Sequence, residues 1–197
     1  MARPRTITDQ RLLDAVGVVL GRSGPAFTIA DVAKQAGVAT GTVMQRFGSK
    51  HGLLLALSRA HRGTQTEAMR AAAAAADSPR AAVLAAAAVG YELLDNAEQA
   101  ANNLAQLGVD LADPELREEL TRGYAAVNEE LRVLLTAAAL PGAPPPEQAA
   151  RILGALAAGT AVHWSVRPRG RLVDRVLADL DAVLAGWSRP ALGEESE

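Results

Sequence analysis

Residues 27–55 read FTIADVAKQAGVATGTVMQRFGSKHGLLL, and the fold of the N-terminal part is decided here. Ile29, Val32, Ala33 and Ala36 fall on one face at helical spacing. Thr28 stands just before them with Asp31 three residues on, a capping box with Asp in the place of Glu or Gln. Gly37 tolerates a left-handed backbone, so the helix can stop there and the chain can turn. A second helix is predicted over residues 40–47, with Val43 and Phe47 on its buried side. Its other face shows Thr40, Gly41, Thr42, Gln45 and Arg46, all small, polar or cationic. Two short helices arranged in this way form a helix-turn-helix, whose second helix enters the DNA major groove.

This stretch resembles the DNA-binding domain of the tetracycline-repressor (TetR) family of bacterial transcription regulators. The matching residues are Phe27-Thr28-Ile29, Val32-Ala33, Ala36-Gly37-Val38, Gly41-Thr42-Val43, Phe47, Ser49-Lys50 and Leu53-Leu54, within about a quarter of the chain. The resemblance implies that Thr40, Thr42 and Arg46 reach base edges or nearby phosphates, while Lys50 and Thr28 hold the DNA backbone. The chemistry fits, since an Arg fork can grip guanine O6 and N7, and Gln45 can read adenine. Gly41 lets the helix tip approach closely. Two positions depart from the family pattern. Met44 replaces a phosphate-binding Tyr and can touch only a thymine methyl, a loss of about 1 kcal/mol. Ala39 stands where a capping Ser is common.

Charge distribution points the same way. The 197-residue chain has a net charge of only −2, but residues 1–62 hold nine Lys/Arg against three Asp/Glu. The rest of the chain is left with eleven bases and nineteen acids. A basic end on an acidic body is expected where one end faces phosphates. Arg3 and Arg5, flanking Pro4, are candidates for a minor-groove or backbone arm.

Hydrophobic residues make up 49% of the chain and aromatic residues 3%, with few β-branched runs and no Asn-Gly or Asp-Gly turn. An all-α fold follows. With no Cys, neither a disulfide framework nor a thiolate metal site is possible, which suits a reducing cytoplasm. Residues 1–11 are polar and basic, unlike a signal peptide, and no apolar run reaches the roughly eighteen residues of a membrane span. A cytoplasmic protein without membrane association is expected.

The expected organisation is a three-helix DNA-binding domain over residues 1–52 and a six-helix ligand-binding and dimerisation bundle over residues 53–197. Helix 1 covers residues 8–20 on a stripe of Leu12, Val16, Val19 and Leu20. Ser49 caps a long helix 4 toward residue 76. Pro79 and Pro114, each just after a capping residue, open helices over 79–96 and 114–140, with another over 98–108 between them. Pro141–Pro146 is a stiff stop. Helices over 147–165 and 172–187 flank the basic loop Arg167-Pro-Arg-Gly-Arg171.

The resemblance further implies a small-molecule effector held in the body and a two-fold homodimer reading a palindromic operator. Tyr91, Asn102, Asn103, Gln106, Tyr124, Asn128, His163 and Trp164 are the polar or aromatic residues near expected buried faces, and Tyr91, Asn103, Gln106, Tyr124, Asn128 and Trp164 are the ligand-binding candidates. The last two helices are the expected dimer interface, with Gly154, Ala158 and Gly159 as a small-residue surface and Val176, Leu180, Val183, Leu184 and Trp187 as anchors. That stripe could instead be monomer core. No cofactor or metal is expected, and an enzyme is disfavoured. The chain has no nucleophile motif, no metal spacing among His51, His61 and His163, and no phosphate-binding glycine loop. The reading is a ligand-responsive repressor released from DNA by a small, mostly apolar effector. The alternative is a helical small-molecule-binding protein with weak or lost DNA binding. Salt dependence of DNA binding separates the two.

Overall fold

The computed structural model describes residues 7–94 and 96–190, so Arg3 and Arg5 lie outside the described residues. The described residues are all-α, with nine α-helices and two 3₁₀ turns. The chain divides into two compact units. One runs to His61 and takes in Glu98–Thr121; the other holds Arg62–Ala97 and the chain from Arg122 onward.

The first unit contains α1 (Asp9–Ser23), α2 (Ile29–Ala36), α3 (Thr40–Phe47) and the first part of α4 (Lys50–Ala74), with nearly all of α6 (Ala97–Ala112) and the start of α7 (Pro114–Ala138). The expected punctuation is present. The Thr28 hydroxyl accepts from the Asp31 N–H at 3.2 Å, and the Asp31 carboxylate accepts from the Thr28 N–H at 2.9 Å. Gly37 closes α2 in the left-handed region, at φ 72° and ψ 38°. Ser49 Oγ accepts from the Gly52 N–H at 3.0 Å. Gly52 is required for a second reason, because a Cβ there would sit 2.2 Å from the Phe47 carbonyl oxygen. The α3–α4 turn is that tight.

Leu12, Val16, Val19, Phe27, Val32, Val43 and Leu53 are buried together in this unit. Each contributes about 1.5–3 kcal/mol when withdrawn from water. Phe27 is central, while Phe47 is only partly buried at the edge of the cluster. Leu116 of α7 joins the same core. Asn102 of α6 donates to the Gly21 carbonyl of α1 at 2.8 Å. Arg59 of α4 donates to the buried Glu119 carboxylate of α7 at 3.0 Å.

The second unit contains the rest of α4 and α7, with α5 (Pro79–Ala87), a 3₁₀ turn (Tyr91–Leu94), α8 (Pro146–Val166) and α9 (Leu172–Trp187). Helix α5 is shorter than the expected 79–96. Its apolar run continues, but the backbone takes φ 92° at Gly90 and tightens into the 3₁₀ turn. Helix α6 is longer than expected and reaches Ala112.

Val176, Leu180 and Leu184 of α9 are fully buried within the single chain, where α9 packs against α8, α5 and the 3₁₀ turn. The expectation that these three anchor a dimer is therefore corrected. A side chain with no exposed surface has nothing left to bury against another copy. They form the protomer core, with Leu153, Ala157, Leu172 and Val83.

Candidate nucleic-acid interface

Helix α3 begins after Ala39, which offers no side-chain cap; the first turn is closed by the backbone, with the Thr42 N–H donating to the Ala39 carbonyl at 2.9 Å. At roughly 100° per residue, Thr40, Gly41, Met44 and Gln45 share one face, and all four are exposed. Val43 points the other way and is fully buried. Thr42 is half-buried on the flank. The exposed face thus offers one hydroxyl, one carboxamide, a thioether and a glycine that leaves the helix tip bare. These groups can donate to and accept from base edges and meet a thymine methyl.

The remaining expected contacts are engaged with other groups of the same unit. Arg46 lies one turn beyond Thr42, away from the exposed face. It forms an ion pair with Asp9 at the start of α1, and its second terminal nitrogen donates to the Ile7 carbonyl at 2.8 Å. Lys50 Nζ donates to the Pro25 and Phe27 carbonyls, both at 2.6 Å, and stands 4.2 Å from the centre of the Phe27 ring. Burial lowers the Lys50 pKa. The Thr28 hydroxyl donates to Asp31 Oδ2 at 2.7 Å while it caps α2. These hydrogen bonds of Thr28, more than any charge, hold the Asp31 carboxyl below its ordinary range. Arg46, Lys50 and Thr28 are thus the fasteners that fix α3 and its turn.

The expected ligand residues are scattered. Asn103 and Gln106 belong to the first unit, and Tyr91, Tyr124, Asn128 and Trp164 to the second. Asn103 donates to the Gln99 carbonyl of its own helix at 2.8 Å. Gln106 is buried and donates to Asp110 Oδ1 at 2.7 Å, leaving its Oε1 without a partner among the described residues. Burial raises the Asp110 pKa. Burial, with Tyr124 nearby, pushes the Tyr91 phenol up to about 12. Tyr124 is itself exposed.

Only Trp164 of the six lines the cavity of about 520 Å³ in the second unit, formed by α8, α9 and the loop between them. Thr160, Arg167, Arg169, Arg175 and Asp179 line it too, none of them a candidate from sequence. The signal available was the basic loop at residues 167–171, which reads as a surface connection until α8 and α9 are brought together. Of the expected interface residues, Gly154, Ala158, Gly159, Val183 and Trp187 keep partial exposure. Among the described residues, no group of His, Cys, Asp and Glu could hold a metal ion, and no helix is long and apolar enough to cross a membrane.

Residues 12–57 match the model of the bacterial regulatory proteins of the tetR family. Solved structures share the fold along nearly the whole chain. A transcriptional regulator from Rhodococcus sp. Rha1 is 21% identical with a TM-score of 0.73, covering 94% of this chain and 100% of its own. The transcriptional regulator FadR from Bacillus subtilis, solved with stearoyl-CoA, is 21% identical with a TM-score of 0.74, covering 91% and 99%. SmeT, the repressor of the Stenotrophomonas maltophilia multidrug efflux pump SmeDEF, is 21% identical with a TM-score of 0.67, covering 92% and 90%. No functionally curated protein matches the chain in sequence. The N-terminal segment thus matches the model of a family of bacterial regulatory proteins, and the chain shares the fold of these solved regulators.

Proposed function

We propose that this chain is a TetR-family regulator, a cytoplasmic, ligand-responsive repressor that binds a palindromic operator as a homodimer. The observation that carries the reading is the exposed face of Thr40, Gly41, Met44 and Gln45 on a helix whose fastening groups are all engaged beneath it. Such a helix is presented rigidly, which major-groove readout needs. The basic balance of residues 1–62 supports it, and Arg3 and Arg5 are well placed in the sequence to serve as an arm.

The proposed dimer surface is the outer face of α8 and not the buried stripe of α9. Ile152, Val162 and Val166 are 36%, 42% and 83% exposed, and Ala155 and Gly159 fall between them at seven-residue periodicity. Ala178, Ala182 and Gly186 give α9 a matching small, exposed edge. Two copies related by a two-fold axis would pack four helices through these faces and carry two copies of α3 to half-sites about 34 Å apart. A small effector in the second unit would act through α4, which contributes residues to both units, and shift the spacing away from the operator. The FadR and SmeT relatives, one solved with an acyl-CoA and one repressing an efflux pump, support effector control.

Fluorescence anisotropy on DNA from upstream of the gene, followed by selection from a random duplex pool, tests the reading. The expected result is a selected palindrome bound in a strongly salt-dependent manner, with Gln45→Ala losing discrimination. If selection recovers no site, the chain is a ligand-binding relative without operator recognition.

A further inference from the structure

The α8–α9 cavity carries an unbalanced positive charge. Arg167, Arg169 and Arg175 line it against a single carboxylate, Asp179. That carboxylate is already used twice: it accepts from Thr160 Oγ1 at 3.0 Å and from Arg175 Nε at 3.2 Å. Arg167 and Arg169 have no side-chain hydrogen bond or ion pair among the described residues, so two guanidinium groups are left without a counter-charge. The lining also includes the apolar Ala155 and Leu156 and the indole of Trp164, with His163 beside it.

The loop that carries the two arginines is held in place. Trp164 is buried, and its indole N–H donates to the Gly170 carbonyl at 3.3 Å. The N–H of Arg167 donates to the Trp164 carbonyl at 3.1 Å. The tryptophan therefore forms the wall and fastens the loop, and this limits the entropy lost when the arginines grip a ligand.

We infer that this cavity is a binding site for a small organic anion, whose carboxylate or phosphate is taken by Arg167 and Arg169 and whose apolar body lies against Trp164 and Leu156. Guanidinium forks bind planar or tetrahedral oxyanions through paired charge-assisted hydrogen bonds, and a volume of about 520 Å³ suits a metabolite-sized guest. All the lining residues come from one chain, and the inference does not depend on operator binding. Ala155 and Gly159 belong also to the outer face of α8, so the site shares these two residues with the proposed dimer surface.

The test uses the full chain carrying Trp187→Phe, which leaves Trp164 as its single tryptophan. The probe is 1-anilinonaphthalene-8-sulfonate, an organic anion, followed by energy transfer from Trp164; the uncharged N-phenyl-1-naphthylamine is the control. Arg167→Ala with Arg169→Ala should weaken the anion by about tenfold or more, and the paired Lys substitutions should recover most of that loss. The neutral probe should bind all variants equally, and circular dichroism should show unchanged helix content. Anion affinity in the Ala pair within about twofold of the parent, or an equal loss for the neutral probe, overturns the inference.

Discussion

Arg46, at the end of α3, is paired with Asp9 at the beginning of α1, and the same guanidinium holds the Ile7 carbonyl at 2.8 Å. The pair ties the end of α3 to the start of α1, and it turns a cation away from the exposed face of α3. It also places a carboxylate near the proposed DNA-facing surface.

Asp9→Asn should therefore strengthen DNA binding, because it releases Arg46 and removes a repelling charge. The stability lost should stay below about 1 kcal/mol, since both side chains are partly exposed. Anisotropy and urea unfolding measure the two effects. Weaker DNA binding by the variant would show that the pair helps recognition, and equal binding that it plays no part in it.

Lys50→Met keeps the length of the side chain and removes its donors. It should cost about 1–3 kcal/mol in urea unfolding, as two carbonyls lose a charged partner. Burial lowers the lysine pKa, so the folded state holds that proton less tightly than the unfolded chain. The native protein should accordingly gain stability as pH rises into the range just below the ordinary lysine value, and the Met variant should lack that gain.

Thr28→Ala removes the cap of α2 and should cost about 1 kcal/mol near neutral pH. The folded Asp31 carboxyl is held below its ordinary pKa, chiefly by Thr28. Its contribution is complete above the ordinary carboxylate range and disappears as pH falls through the lower folded value. Unfolding midpoints of variant and parent should converge in acid. A constant gap would assign the cap no linkage to Asp31.

Val162→Arg and Leu180→Ala separate the two faces of the α8–α9 pair. Val162 is 42% exposed, so its substitution should leave thermal stability unchanged and produce monomers in sedimentation. Leu180 is fully buried, so its truncation should cost about 2–5 kcal/mol of stability whatever the oligomeric state. Persistence of the dimer in Val162→Arg would move the interface elsewhere.

The sequence by itself determined the elements of this protein. Caps at Thr28 and Ser49, the left-handed stop at Gly37, and the spacing of Leu12, Val16 and Val19 are local, and short-range sterics and hydrogen bonding act on them wherever the segment lies. Periodicity also identified apolar faces. It could not say what covers each face, because covering depends on segments far along the chain. Only the tertiary structure put Leu116 into the core with Phe27, buried Val176, Leu180 and Leu184 under α8 and α5, paired Arg46 with Asp9, and folded Lys50 onto the Pro25 and Phe27 carbonyls. A long cationic side chain finds its partners within several ångströms of its tip, and those partners, Asp9 and the Pro25 carbonyl, lie 37 and 25 residues away in sequence. The cavity beside Trp164 has the same origin: its arginines are a surface loop in the sequence and a charged wall once α9 folds back along α8.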